Sequence, residues 1–275
     1  MASASESAPA KINLALHVRE RLADGYHRIE TLFAFARDGD RLSVRPADTL
    51  SLSIEGPFAA GLSIGPDNLV LRAAAALRQT ANVPESAALV LEKNLPVASG
   101  IGGGSADAAA ALRLLRRFWG ADVPLEPIAR QLGADVPACL AGRTVRGEGR
   151  GDLLSAVPAG KLGGMPLLLV NPGVAMPTGP VFAAWDGVDR GLLAAGDPLQ
   201  AARAGRNDLQ APAIEICPIV GELLGWLSAQ PGTVLVRMSG SGATCFALFQ
   251  READCARAGE QARRRWPWSL ETALA

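Results

Sequence analysis

From residue 8 to residue 18 apolar and polar side chains alternate. Ile12, Leu14, Leu16 and Val18 fall on one face of a predicted strand, and Lys11, Asn13 and His17 on the other. A Lys beside an Asn on a strand predicts a wet, functional face; an exposed sheet face is the plainer alternative. After a turn signal at Asp24-Gly25 the apolar positions Ile29, Leu32, Phe33 and Phe35 lead into Asp38-Gly39-Asp40. Residues 41–45 and 50–54 alternate as strands, and 67–77 reads as a helix capped by Asp67 or Asn68. Residues 87–92 read as a buried strand.

The period then changes. Gly and Ser dominate residues 96–105, and an Ala-rich apolar run follows to Trp119 and Gly120. The order strand, glycine loop, helix predicts an anion site. Glycines allow close backbone approach, and a helix starting near Ser105 points free N–H groups and its positive dipole end into the loop. Asp107 in the first turn suits that dipole. The loop is not a P-loop, because no Lys follows its glycines. It is not the dinucleotide fingerprint, because Ser105 stands at the last glycine position. A helix after a plain flexible turn is the bland alternative.

Further along, 127–132 reads as a short helix ended by Gly133, and 145–152 as a tight hairpin. Asp135 lies among Ala, Val and Pro, where a carboxylate needs a partner; a helix cap or turn Asp is the alternative. Residues 158–164 have linker composition. A strand at 166–170, helices starting at 181, after Asn207-Asp208 and at 219–227, a strand at 233–238 with a hairpin partner at 243–249, and a last helix at 252–265 complete the pattern.

Composition narrows the class. The 275 residues are 49% hydrophobic, enough for a sizeable core in one or two domains. Charges balance at 27 basic and 27 acidic, so no global field favours nucleic acid or an anionic membrane. No apolar run is long enough to span a bilayer. Residues 1–8 lack a signal-peptide pattern and read as a disordered lead-in, so a cytoplasmic chain is expected. The four Cys form no C-x-x-C and read as reduced side chains, and two His make a His-based metal cluster improbable. Lys occurs only at 11, 93 and 161. So strong an Arg bias points to Lys11 and Lys93 as places where a compact ammonium is needed.

Residues 96–109 resemble the glycine-rich signature of the GHMP kinases, which wraps nucleotide phosphates without a Walker lysine. Three further segments sharpen the likeness: Pro9-Ala-Lys-Ile-Asn-Leu14 with Ala23-Asp-Gly-Tyr-His27, Leu132-Gly-Ala-Asp-Val-Pro137, and Met238-Ser-Gly-Ser-Gly-Ala243. They resemble the branch that phosphorylates a CDP-linked methylerythritol in the non-mevalonate route to isoprenoids. The resemblance covers most of the chain. It implies an α+β, two-domain GHMP kinase fold: an N-terminal domain (1–157) that is ribosomal protein S5 domain 2-like and binds ATP, and a C-terminal ferredoxin-like domain (158–275).

It also implies roles. Asp135 would be the general base and Lys11 its partner. Pro96, Val97, Ala98, Ser99, Gly100, Ile101, Gly102, Gly103, Gly104, Ser105 and Ala106 would hold the ATP phosphates, and Asn68, Leu69 and Lys93 would line the adenosine pocket. Asn13, Tyr26, His27 and Phe182, together with Asp135, would bind the substrate, with His27 on the cytosine edge and Tyr26 and Phe182 stacked on its ring. No side-chain metal site is implied; Mg²⁺ would arrive with ATP near the Ser105 hydroxyl. Ala106 replaces a second Ser common in the family, and Val97-Ala98-Ser99 replaces a more glycine-rich approach, which should stiffen the loop. Kinases of the same superfamily for mevalonate-type or homoserine substrates are one rival, which the 23–27 motif disfavours. A non-catalytic nucleotide-binding regulator is another, disfavoured by the pairing of Lys11 with Asp135.

Overall fold

The computed structural model describes residues 3–83, 87–158 and 160–275. Met1 and Ala2 of the expected lead-in and Ala159 of the expected linker lie outside them. The chain divides into two compact units that are not sequential halves: residues 1–10, 38–97 and 102–142 form one, and 11–37, 98–101 and 143–275 the other. The reason is two long strands. Strand β1 (Ala4–Arg21) pairs with β2 (His27–Arg45), and each supplies residues to both units.

In the first unit β3 (Ser51–Glu55), α1 (Leu69–Ala81) and β4 (Ala88–Glu92) make a β-α-β element whose strands pair in parallel. β4 also pairs antiparallel with the end of β2, Arg41 opposite Glu92 and Arg45 opposite Ala88. Asn68 caps α1 by accepting from the Val70 N–H. Helix α2 (Gly103–Trp119) buries Ala106 and four consecutive alanines, Ala108, Ala109, Ala110 and Ala111. Side chains this small let α1 and the short helices α3 (Glu126–Leu132) and α4 (Val136–Ala141) pack close around the unit's core.

The lead-in expectation is corrected here. Residues 4–7 are strand rather than disordered lead-in: Glu6 pairs with Arg113 at 2.6 Å and Arg117 at 2.5 Å on α2, which holds the start of β1 down. Asp38-Gly39-Asp40 does not interrupt β2. Gly39 is required because a Cβ there would lie 2.1 Å from the Ala8 carbonyl oxygen.

In the second unit Thr31, Leu32 and Phe33 of β2 pair with β5 (Val145–Glu148), which forms the expected hairpin with β6 (Leu153–Ala156). A separate sheet runs β10-β7-β9-β8, from β7 (Pro166–Asn171), β8 (Thr233–Met238), β9 (Cys245–Phe249) and β10 (Trp268–Ala273). Its pairs are antiparallel. In chain order its strands stand 4-1-3-2, with helices before β8 and before β10, which is the ferredoxin-like β-α-β-β-α-β arrangement. Helices α8 (Ile219–Ser228) and α9 (Glu252–Arg265) cover the sheet. The core runs from Leu168 and Val170 through Leu223, Leu227, Ala247 and Phe249 to Trp266. Helices α5 (Thr178–Ala183), α6 (Pro198–Ala204) and α7 (Gln210–Ile216) fill the connection between β7 and α8. The cap residue of α7 is Leu209 rather than Asn207 or Asp208, although Asn207 Oδ1 accepts from the Leu209 N–H at 3.0 Å just ahead of the helix. Asn207 donates to the Met238 and Gly240 carbonyls, and Asp208 accepts from the Val18 N–H.

Candidate functional site

The glycine stretch follows β4 and enters α2. Helix α2 starts at Gly103, two residues before the expected Ser105, and its cap Gly102 has φ 65°. The first-turn amides of Gly103, Gly104 and Ser105 have no carbonyl four residues back within the helix, so they form the donor end of α2. A Cβ on Gly104 would meet only Leu69 Cδ1, at 3.6 Å, so its open side faces the start of α1. Leu69 is therefore beside the donor end. Ala106 is buried and has no polar side chain to offer.

Ahead of Gly102 the loop is anchored through its carbonyls. Those of Ala98, Ser99, Gly100 and Ile101 accept from Met176 N, Thr244 N, Ser239 Oγ and Lys11 N at 2.8–3.2 Å. Gly100 has φ 77°, and a Cβ there would lie 2.4 Å from the Ser239 carbonyl oxygen, so the bare residue is needed for packing on the second glycine motif. Ala98 holds φ 50° without being glycine, which strains the backbone. Pro96 is buried and Val97 exposed.

Lys93 is 3% exposed, and its ammonium pairs with Asp40 and, at 2.7 Å, with Asp107. A Cβ on Gly103 would lie 3.0 Å from Lys93 Nζ, so the ammonium lies directly under the first residue of α2. Asp40 also accepts from the Asn94 and Leu95 N–H groups at 2.6 and 2.8 Å. Burial works against the Lys93 ammonium, yet the Asp107 and Asp40 carboxylates outweigh it and raise its pKa. Burial pushes Asp107 up to about 7 against the pull of Lys93, with Asp40 adding to the rise. Asp107 is thus a member of a buried charge cluster, not a first-turn dipole partner. Its rare residue type made Lys93 visible in the sequence; nothing there signalled Asp40.

The polar face of β1 is buried, not wet. Lys11 is 3% exposed, with its ammonium 4.8 Å from the Phe33 ring centroid. The Asn13 backbone donates to Ser239 Oγ at 3.2 Å and its Nδ2 to Thr31 Oγ1 at 2.8 Å. The Thr31 hydroxyl proton goes to the Ala15 carbonyl, so Thr31 can only accept from Asn13, which fixes the amide orientation. Asn13 Oδ1 is left buried without a partner. An orphan acceptor of this kind is an opening for a ligand donor.

His27, at the start of β2, lies against two aromatic rings: Phe182 with centroids 5.0 Å apart and Trp185 edge-on at 5.7 Å. The structure therefore brings together two of the residues expected on the substrate and adds Trp185, which the sequence pattern did not single out. Tyr26 is 53% exposed and lies under the Arg150 guanidinium at 4.0 Å. Asp135, in the first unit, stands at the cap position of α4 but makes no capping bond with its side chain. Among the described residues no group of three or more His, Cys, Asp or Glu is arranged to hold a metal, and no helix is long and apolar enough to cross a membrane.

A glycine-rich helix start without a Walker lysine, followed by a ferredoxin-like unit, defines the class. Residues 68–143 match the GHMP kinases N terminal domain and 190–267 the GHMP kinases C terminal. The chain is 58% identical to a 4-diphosphocytidyl-2-C-methyl-D-erythritol kinase from Rhizorhabdus wittichii, over 98% of this chain and 94% of that one. A namesake from Cereibacter sphaeroides is 48% identical over 97% of each. The crystal structure of 4-(cytidine 5′-diphospho)-2C-methyl-D-erythritol kinase matches with TM-score 0.82 at 36% identity, covering 99% of both chains. Homoserine kinase from Cytophaga hutchinsonii, at 14% identity and TM-score 0.72, shares the fold. The chain belongs to the 4-diphosphocytidyl-2-C-methyl-D-erythritol kinase family within the GHMP kinases.

Proposed function

We propose that the protein transfers the γ-phosphoryl group of ATP to the 2-hydroxyl of 4-diphosphocytidyl-2-C-methyl-D-erythritol. The observation that carries the acceptor is the aromatic corner of the second unit, where a buried imidazole stands against Phe182 and Trp185. A cytosine needs stacking faces and a hydrogen-bond partner on its edge, and this corner offers both. The names of the relatives point to the same ligand. The orphan acceptor Asn13 Oδ1 suits a hydroxyl of the acceptor molecule.

On this reading Asp135 takes the proton of the 2-hydroxyl as that oxygen attacks the γ-phosphorus; the bond from the γ-phosphorus to the bridging oxygen breaks and ADP leaves. Lys11 supplies positive charge to the same transition state. The amides of Gly103, Gly104 and Ser105 hold phosphate oxygens, and residues 96–102, anchored through their carbonyls, keep those amides in place. Asn68 and Leu69, next to that helix start, take the adenosine side; Lys93, occupied by two carboxylates, supports α2 from below. Mg²⁺, when bound, offsets phosphate charge. A cation that keeps most of its waters and takes phosphate oxygens fits a first turn, Gly103-Gly104-Ser105-Ala106, that itself carries one polar side chain, the half-buried Ser105 hydroxyl.

The test is turnover of ATP with the CDP-linked substrate, wild type against Asp135→Asn. The expected loss is about 10²- to 10⁴-fold in kcat. Equal activity removes Asp135 from the mechanism, and absence of turnover in the wild type removes the substrate assignment. Lys11→Met and the double variant add a check: groups acting on one transition state lose less together than the product of their single losses.

A further inference from the structure

Arg21 is the last residue of β1, and its guanidinium makes two contacts in the second unit. Nε donates to His27 Nε2 at 3.4 Å, and the terminal nitrogen donates to the Ala183 carbonyl at 3.2 Å. Ala183 belongs to α5, the helix that carries Phe182. One side chain therefore ties the imidazole to the helix bearing the ring it packs against. A guanidinium only donates and stays charged. His27 Nε2 must then be the acceptor, and in the neutral ring the proton sits on Nδ1. Burial, and then the Arg21 charge, lower the His27 pKa, so the neutral ring is favoured.

We propose that Arg21 is a positioning residue that fixes the tautomer of His27 and thereby makes this pocket select cytosine over uracil. The inference rests on the cytidine substrate proposed above. Cytosine carries an acceptor at N3, where uracil carries an N–H. An imidazole locked with Nδ1–H presents a donor, which pairs with the first and opposes the second. With Arg21 removed, the proton is free to move to Nε2, Nδ1 becomes an acceptor, and uracil N3–H is no longer rejected. A site whose buried partner is matched to one base leaves that partner unpaired with the other, and this mismatch is what separates two otherwise similar substrates.

The chain has only two His, so spectra of the full-length protein with ¹⁵N-labelled histidine contain two imidazoles. His17 is an internal control. Its Nδ1 faces the Gly191 carbonyl at 3.0 Å and its Nε2 accepts from the Arg206 N–H at 3.2 Å, so it too holds the proton on Nδ1. Both rings should show the Nδ1–H pattern in the wild type. In Arg21→Met His27 should lose it while His17 keeps it, and Arg21→Lys, which retains a donor, should restore it in part. In parallel, the kcat/KM ratio for the CDP-linked substrate over its UDP-linked analogue should fall about tenfold or more in Arg21→Met and recover in Arg21→Lys. A wild-type His27 protonated on Nε2, or a ratio unchanged in Arg21→Met, overturns the proposal. If the wild type fails to turn over the CDP-linked compound, the substrate reading falls, and the spectra alone decide whether Arg21 sets the tautomer.

Discussion

Lys93 in the first unit and Arg237 in the second are both buried, and the two are neutralised in opposite ways. Lys93 in the first unit meets two carboxylates, Asp40 and Asp107. Arg237 in the second unit meets three carbonyls: Leu14, Ala202 at 2.7 Å and Gly205 at 2.7 Å. Burial alone lowers the Arg237 pKa to about 10, whereas the carboxylates raise that of Lys93. A planar guanidinium can satisfy several carbonyl dipoles and still stay charged, while a compact ammonium needs formal negative charge nearby. That difference accounts for a Lys at 93 in a chain that otherwise uses Arg almost everywhere. It also shows two kinds of anchoring. Lys93 fixes the start of α2, and Arg237 ties β1 to the end of α6, where Gly205 is the cap.

The largest break in this comparison is Lys93→Met. Two buried carboxylates would lose their counter-charge, at a cost of about 3–5 kcal/mol in unfolding free energy. Denaturant midpoints measure it, and a loss below about 1 kcal/mol would show that the cluster is not a stabilising unit. Arg237→Met comes next, at about 2–3 kcal/mol, because it strands buried carbonyls rather than charges; Arg237→Lys should recover only part, since an ammonium lacks the fork.

Asp107→Asn changes stability least per pH unit and is the most informative. In the folded chain Asp107 holds its proton up to about 7, against 3.8 for an ordinary Asp. Its raised pKa therefore favours the fold fully below about pH 3.8, and that contribution falls away as pH rises toward about 7. Asn cannot titrate, so the variant should gain on the wild type across that window, by no more than about 1.4 kcal/mol per pH unit. Parallel stability–pH curves for the two proteins would mean that Asp107 is ionised throughout.

Much of this was legible along the chain. Alternation located most of β1, the strands expected at 233–238 and 243–249 appear as β8 and β9, and Gly120 marked the end of α2. The last helix runs as read, from Glu252 to Arg265. The family resemblance pointed to His27 and Phe182; the two rings are in contact. What escaped has a physical cause. Strand β10 has little alternation and is defined by its pairing with β7, a partner about a hundred residues away. Nothing local to Asp38-Gly39-Asp40 marked Asp40 as the partner of a buried ammonium, and only the close approach of Ala8 makes Gly39 a strand glycine. The polar face of β1 read as solvent-facing because alternation reports two faces but not what covers the second.

The order of residues by itself determined most of the element types and the family, because these rest on local backbone preference and on motifs with fixed spacing. Only the tertiary structure decided that Lys93 is enclosed by two carboxylates, that Arg237 rests on carbonyls, and that Arg21 reaches the imidazole of His27. Those arrangements depend on which distant groups share a volume with little water, and burial, not residue type, sets the strength of each charge there.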